Sequence, residues 1–168
     1  MALQKTVGLN YALGIPGQQV VVGQAEYASY NPLSDGTVKA GAFCFKKALS
    51  GNGEGFAGAT LLGAADTDLP LGFVERVTDT YIPTVAGEAT SVYPAGAAVT
   101  VAIRGQFYIE ATATIASDGL PVYIKPTTGA LNISASKGEG EVDTGWICRI
   151  PNGGTSAVQG DIVIVERF

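Results

Sequence analysis

The stretch 99–115 places the strongest constraint on what this chain can fold into. Val99, Val101 and Ile103 alternate with Thr100, Ala102 and Arg104; after Gly105, Phe107 and Ile109 alternate with Tyr108 and Glu110; Ala111, Ala113 and Ile115 alternate with Thr112 and Thr114. A period of two is the strand period, because successive side chains leave opposite faces of a sheet. Gly105 inside the run predicts a bulge or a sharp bend. Shorter strand-like runs follow the same logic at 38–46, 73–78, 122–124, 145–150 and 162–165. The last, Ile162-Val163-Ile164-Val165, is apolar throughout and predicts cover on both faces. Asp35-Gly36, Asn52-Gly53, Asp118-Gly119 and Asn152-Gly153 are dipeptides suited to turns with positive φ. No window carries a capped helical stripe; the Ala- and Leu-rich stretch 60–66 is the best candidate for a helical turn. The expectation is an all-β sandwich or barrel.

Residues 1–34 read differently. They hold a Gly14-Ile15-Pro16-Gly17 break, one strand-like run Val20-Val21-Val22, and then Tyr27, Tyr30, Asn31 and Pro32. Regular strand and turn spacing begins only beyond Asp35. We therefore expect two parts: residues 1–34 as an extended N-terminal arm with one short strand, and residues 35–168 as a single β-barrel domain. A chain of 168 residues is long enough to hold its own core without disulfides or metal.

The residues that carry chemistry are few. Histidine, the usual base and metal ligand near neutral pH, is absent. A serine nucleophile therefore lacks its ordinary base. Gly53-Glu54-Gly55-Phe56-Ala57-Gly58 matches G-x-G-x-x-G, but without the βαβ unit that a dinucleotide site requires. Asp66, Asp68 and Asp79 lack the spacing and closing Glu of a calcium loop. Glu139 and Glu141 sit in a glycine loop, a poor place to hold two carboxylates at fixed separation; Glu75 and Glu110 are a conceivable distant pair. The expectation is no catalytic residue, no metal and no cofactor. Cys44 and Cys148 have apolar neighbours and read as buried, reduced thiols.

Charge narrows the partners. The net charge is −5, and Lys46-Lys47 is the only basic doublet. A nucleic-acid backbone needs clustered Lys and Arg, so it is not the expected partner. No run of 18 apolar residues crosses a membrane, and Met1-Ala2-Leu3-Gln4-Lys5-Thr6 has no apolar signal region, so we expect the protein to stay where it is made. Charged residues are only 15% of the chain, against about 25% in ordinary soluble domains. Interface cores are depleted of charge, which suits a surface covered by partners.

Several stretches together resemble tailed-phage capsid cement (decoration) proteins. They are the opening Met1-Ala2-Leu3-Gln4-Lys5-Thr6-Val7, Leu71-Gly72-Phe73-Val74-Glu75-Arg76, Tyr93-Pro94-Ala95-Gly96, Arg104-Gly105-Gln106-Phe107-Tyr108-Ile109, and Asp118-Gly119-Leu120-Pro121-Val122-Tyr123, with Gly145-Trp146 later. The resemblance implies a non-enzymatic β-barrel, tulip-like or jelly-roll-like. It would bind the outside of the assembled phage head and bridge neighbouring major capsid proteins. The implied partners are the major capsid protein and the protein itself, as a dimer or trimer on the capsid surface. The implied location is the head exterior, after assembly in the host bacterial cytoplasm. Under that reading the apolar residues of the arm, Leu3, Val7, Leu9, Tyr11, Ile15, Val20 and Val22, are the expected capsid contacts. Two other classes stay open. One is a carbohydrate-binding β-sandwich of a virion fibre or adhesin, stacking glycan on Tyr27, Tyr30, Tyr81, Tyr93, Tyr108 or Tyr123. The other is a hydrolase that uses carboxylates.

Overall fold

The computed structural model describes residues 13–47, 58–77 and 91–168. These residues are all-β, with one short 3-10 turn at Pro151–Gly153. The strands in chain order are β1 (Glu26–Tyr27), β2 (Leu33–Ser34), β3 (Phe43–Lys47), β4 (Gly58–Thr60), β5 (Pro70–Val74), β6 (Val101–Glu110), β7 (Pro121–Lys125), β8 (Ala130–Ile133), β9 (Val142–Arg149) and β10 (Ile162–Arg167). They form one ten-stranded sheet in the order β2-β4-β3-β5-β6-β10-β9-β7-β8, with β1 on the side against β6. All pairs are antiparallel except β2 with β4.

The expected closed barrel is corrected by this order. Among the described residues the two ends of the path, β2 and β8, do not pair with each other. The β2 end is instead covered by the chain just before β6: Ser34 N–H donates to Ala97 O at 2.8 Å, and Leu33 bridges Ala98.

Strand β6 is the spine. Its Val101 and Ala102 pair with β5, and its residues from Gly105 to Glu110 pair with β10. Segment 17–28 also runs along β6. Gly17 N–H donates to Tyr108 O at 2.8 Å, Tyr108 N–H to Gln18 O at 3.0 Å, Val20 N–H to Gln106 O at 2.9 Å and Ala28 N–H to Val101 O at 2.9 Å. The stretch 17–34, expected in the arm, is therefore hydrogen-bonded to the sheet in this fold. Gly17 meets the turn at Gly41 so closely that an added Cβ would lie 2.8 Å from Gly41 N. Arg76 holds the same point, donating from its backbone N–H to Gly17 O and from Nε to Pro16 O.

Two cores explain the burial pattern. Phe43, Phe73, Phe107 and Trp146 pack in one cluster, with ring centroids 5.0–6.0 Å apart in tilted and edge-on arrangements. Val38, Cys44, Ala59, Val74, Val99 and Val101 form the second. β3 alternates between them: Phe43 and Phe45 face the aromatic core and Cys44 the aliphatic one. This is why three consecutive residues of β3 are buried.

Gly105 does what the sequence predicted. Its φ is +131°, a region that L side chains rarely adopt. Before it, even-numbered Ala102 faces the aromatic core; after it, odd-numbered Phe107 and Ile109 do. The register against β1 steps from Arg104 to Ala102, so the extra residue is Ile103, two positions before Gly105; it shifts the parity, and one continuous strand serves one core along its length.

Other expectations need adjusting. The valine run 20–22 is not a strand; Gln19 makes the bridge, to Phe107, and residues 21–24 turn outward. The stretch 60–66 is not helical; Asp68 Oδ2 accepts from the N–H groups of Ala64 at 2.7 Å and Ala65 at 3.0 Å, which holds it as a loop. In β10, Val163 and Val165 are buried while Ile162 and Ile164 are half-buried, so its second face is only partly covered. The turns at Gly36, Gly119 and Asn152-Gly153 all have positive φ, and Asn52 and most of the 53–58 loop lie outside the described residues.

Candidate functional site

Several of the groups that could do chemistry are engaged in structure. Glu141 Oε2 accepts from Asn132 Nδ2 at 2.8 Å and from Gly138 N–H at 2.7 Å. Asp66 Oδ1 accepts from Thr127 Oγ1 at 2.6 Å. Glu75 lies beside Tyr27, whereas Glu110 lines a cleft of about 530 Å³ with Lys39 and Arg76. Among the described residues no group of three acidic or cysteine side chains could hold a metal ion, and Asp79 lies outside them. Cys44 and Cys148 are free and buried, and burial pushes both thiols up to about 12. Tyr93 donates its hydroxyl to Glu75 O, Tyr108 lies against Gly14, and Tyr27 bonds the Gln19 amide. Tyr81 is outside the described residues.

A carboxylate network that the sequence did not announce ties the late strands together. Glu166, 6% exposed, accepts from Arg149 Nε at 2.6 Å and from Gln106 Nε2 at 2.8 Å. Arg149 also donates to Asp118 at 3.1 Å, and Asp118 accepts from Ile150 N–H at 2.7 Å. Hydrogen bonds that Arg149 donates to Glu166 and Asp118 raise its pKa, and the Ile150 N–H is the main cause that lowers that of Asp118. The partners stand 17 and 60 residues apart in sequence, so no local pattern marks them.

Asp35 is the other held carboxylate. Burial works to raise its pKa, but hydrogen bonds from Lys47 and Thr37 outweigh it and hold the group at about 2 against an ordinary 3.8. The Lys47 Nζ contact is 2.7 Å. A depressed folded pKa gives stability that is present above the unfolded value and is lost as pH falls through the folded one. Asp35→Asn should therefore cost about 1–2 kcal/mol near neutral pH. Urea melts at stepwise pH should show the difference from the parent shrinking between pH 4 and 2 and gone below it. A difference that persists at the lowest pH would mean the ion pair is not its source.

What remains is surface. Val22 is 90% exposed and Phe168 75%, the two highest values among the described large apolar residues. Phe168 lines a groove, and Val22 directly precedes Gly23, which lines it too. Val22 sits on the 21–24 turn, where Gly23 N–H donates to Gln19 Oε1 at 3.2 Å. The following residues, 23–26, form a shallow groove with Arg104, Arg167 and Phe168. The β10 register sets Arg167 beside Gly105, and an added Cβ on Gly105 would touch Ala25, so this end is a direct product of the β6 bulge. Glu26 and Arg104 pair across the groove at 3.5 Å, with both side chains more than half exposed.

Of the expected contact residues, Val22 stands on this end, Val20 is half-buried with its N–H spent on Gln106, and Ile15 is 54% exposed near the Pro16 turn. Leu3, Val7, Leu9 and Tyr11 lie outside the described residues. Phe168 was not singled out from the sequence, because its place beside the groove follows from the β10 register.

Comparison with known proteins gives the family. Residues 3–167 match the structural cement proteins typified by E217 gp24 and Pam3 gp6, and the chain belongs to that family. It is thus a structural protein of the bacteriophage virion, associated with capsid proteins. A solved structure titled "The capsid of Myoviridae Phage XM1" has the same fold, with TM-score 0.65 and 16% identity over 99% of this chain and 97% of that one. No curated protein matches.

Proposed function

We propose that this protein binds the outside of the assembled head and bridges neighbouring major capsid proteins, with the Val22 and Phe168 end against the shell. One observation carries the orientation: Phe168 lines a groove framed by Glu26, Arg104 and Arg167, and the most exposed large apolar side chain, Val22, directly precedes its first lining residue, Gly23. Burying a side chain of this kind gains about 1.5–3 kcal/mol over leaving it in water. An apolar centre with a charged rim is the usual anatomy of an interface. The chain before Pro16, with Leu3, Val7, Leu9, Tyr11 and Ile15, extends the contact to a neighbouring subunit. Linked weak contacts then give avidity that no single one has. In this reading the protein performs no reaction, its assembly takes place in the host cytoplasm, and the engaged carboxylates support a purely mechanical role.

The test uses heads prepared without the protein, to which purified variants are added. The parent should decorate them and raise their rupture temperature. Val22→Asp with Phe168→Asp should leave the far-UV spectrum and melting temperature unchanged and weaken decoration at least ~10-fold, the ratio for about 1.4 kcal/mol. Deletion of residues 2–12 should leave decoration detectable and lower the rupture temperature. Full decoration by the double variant would place the shell contact elsewhere. Decoration without any rise in rupture temperature would remove bridging from the reading.

A further inference from the structure

The turn between β9 and β10 holds a pair of residues that the shell-binding role does not use. Asn152 and Gly153 are both exposed at the tip of turn 151–154. Asn152 has φ +61° and ψ +22°, and Gly153 has φ +70°. Among the described residues Asn152 is the one non-glycine at positive φ. Asparagine tolerates this left-handed conformation better than most side chains, and Asn-Gly is the dipeptide that mirror-image turns favour. Gly154 N–H closes the turn on Pro151 O at 3.3 Å, longer than an ordinary N–H···O bond. A Cβ added to Gly153 would meet nothing within 4 Å, so no neighbouring group hems that residue in.

The same pair is chemically reactive. The carboxamide carbon of an asparagine lies within reach of the next residue's backbone nitrogen, and attack there closes a five-membered ring. A side chain on that next residue crowds the attack, and Gly153 has none. We propose that Asn152 converts spontaneously to aspartate and isoaspartate in the folded protein, through local opening of turn 151–154. Gly153 N gives its proton to solvent and bonds to Asn152 Cγ; the Cγ–Nδ2 bond breaks, and the amide nitrogen takes up a proton and leaves as ammonia. Water then opens the cyclic imide. Cleavage between Gly153 N and Cγ leaves aspartate. Cleavage between Gly153 N and the Asn152 backbone carbonyl carbon leaves isoaspartate, with the main chain rerouted through the side chain.

The closed turn is not itself the reacting geometry. At ψ +22° Gly153 N nearly eclipses the Asn152 backbone N, whereas ring closure needs it to eclipse Cβ. The peptide must rotate about the Asn152 Cα–C bond, which breaks the turn. One long hydrogen bond opposes that rotation, and release of Asn152 from the left-handed region favours it. β9 and β10 stay paired throughout. The isoaspartate chain is one methylene longer and cannot rebuild the same turn. Either product adds a carboxylate to a chain of net charge −5. A protein built into a particle is not replaced there, so the altered fraction grows with the age of the particle.

The test incubates the full chain at neutral and mildly alkaline pH and reads the tryptic peptide that begins at Ile150 by mass spectrometry, with fragmentation that separates aspartate from isoaspartate. Conversion in the folded chain should be no more than ~10-fold slower than in the same chain unfolded in urea, the ratio for about 1.4 kcal/mol and the scale of one hydrogen bond. It should quicken with pH, because the attacking nitrogen must lose its proton. Urea below the unfolding transition should leave the rate unchanged, because a local opening exposes little surface. Asn152→Gln, whose ring would be larger, should show no change in this peptide over the same time. A rate that climbs with urea below the transition would confine the reaction to the globally unfolded chain and overturn the proposal. So would a folded chain that stays unaltered while the unfolded chain converts. If Asn152→Gln does not fold, the urea dependence in the parent decides alone.

Discussion

Trp146→Ala is expected to cost about 3–5 kcal/mol, the range for removing a fully buried large aromatic side chain. For a chain of this size that is a fall in melting temperature of roughly 6–20 °C. The size of the effect comes from where Trp146 sits. It is contributed by β9, in the late half of the sheet, yet its ring contacts are Phe43 of β3, Phe73 of β5 and Phe107 of β6. No backbone hydrogen bond joins β9 to β3 or β5 in the strand order. The indole thus joins a late strand to three earlier ones across the shared core. Calorimetry measures the loss, and exchange at β3 amides should rise more than at β7 amides. A variant that melts within about 2 °C of the parent, under 1 kcal/mol for this size, would mean the core collapses around the gap at little cost.

Gly105→Val should cost roughly 2–6 kcal/mol, from two sources that add. A branched residue held at φ +131° carries about 1–3 kcal/mol of backbone strain. Its Cβ would also stand 3.1 Å from Ala25 Cα and 3.1 Å from Phe107 Cε2, an overpacking worth about 1–3 kcal/mol more. Gly23→Ala is the control. Gly23 has φ +86° but nothing within 4 Å of an added Cβ, so only strain of about 1–2 kcal/mol applies. Chemical denaturation of both variants separates the sources. If the two cost the same, the contact with Ala25 and Phe107 contributes nothing, and the tight seam between segment 17–28 and β6 is looser than drawn.

The part of this fold that was legible in sequence is the part written in local period and turn chemistry. Residues 101–110, the bulge near Gly105 and the turns at Gly36 and Gly119 could be read because each depends on neighbours within a few positions. β8 was missed because Ala130-Leu131-Asn132-Ile133 is short and has no strong alternation. β4 opens directly on a glycine loop and has only three residues, too few to show a period. The valine run 20–22 misled for a physical reason. β-branched residues favour strands, but Gly23 and the Gln19 side chain stabilise a turn there, and Gln19 takes the place on β6. The barrel was inferred from strand spacing, and spacing says nothing about whether the first and last strands meet. The surface end was half legible. Val22 was in the expected contact set; Phe168 was not, because its place beside the 23–26 groove is set by the β10 register and not by its own neighbours.

The seam between segment 17–28 and β6 also decides how the molecule carries load. Tension applied to the chain before Gly17 and directed along β6 reaches the bonds from Gly17, Tyr108, Val20 and Ala28 together, because they are spread over the length of one strand. All must give at once. The same tension directed across the strand reaches them singly, starting at Gly17, and peels the segment away. A tether attached this way is stiff in one direction and weak in the other. On a shell that swells from within, subunits separate within the plane of the surface. A molecule lying with β6 parallel to that plane would resist the separation by shear, and the same molecule standing on end would unzip.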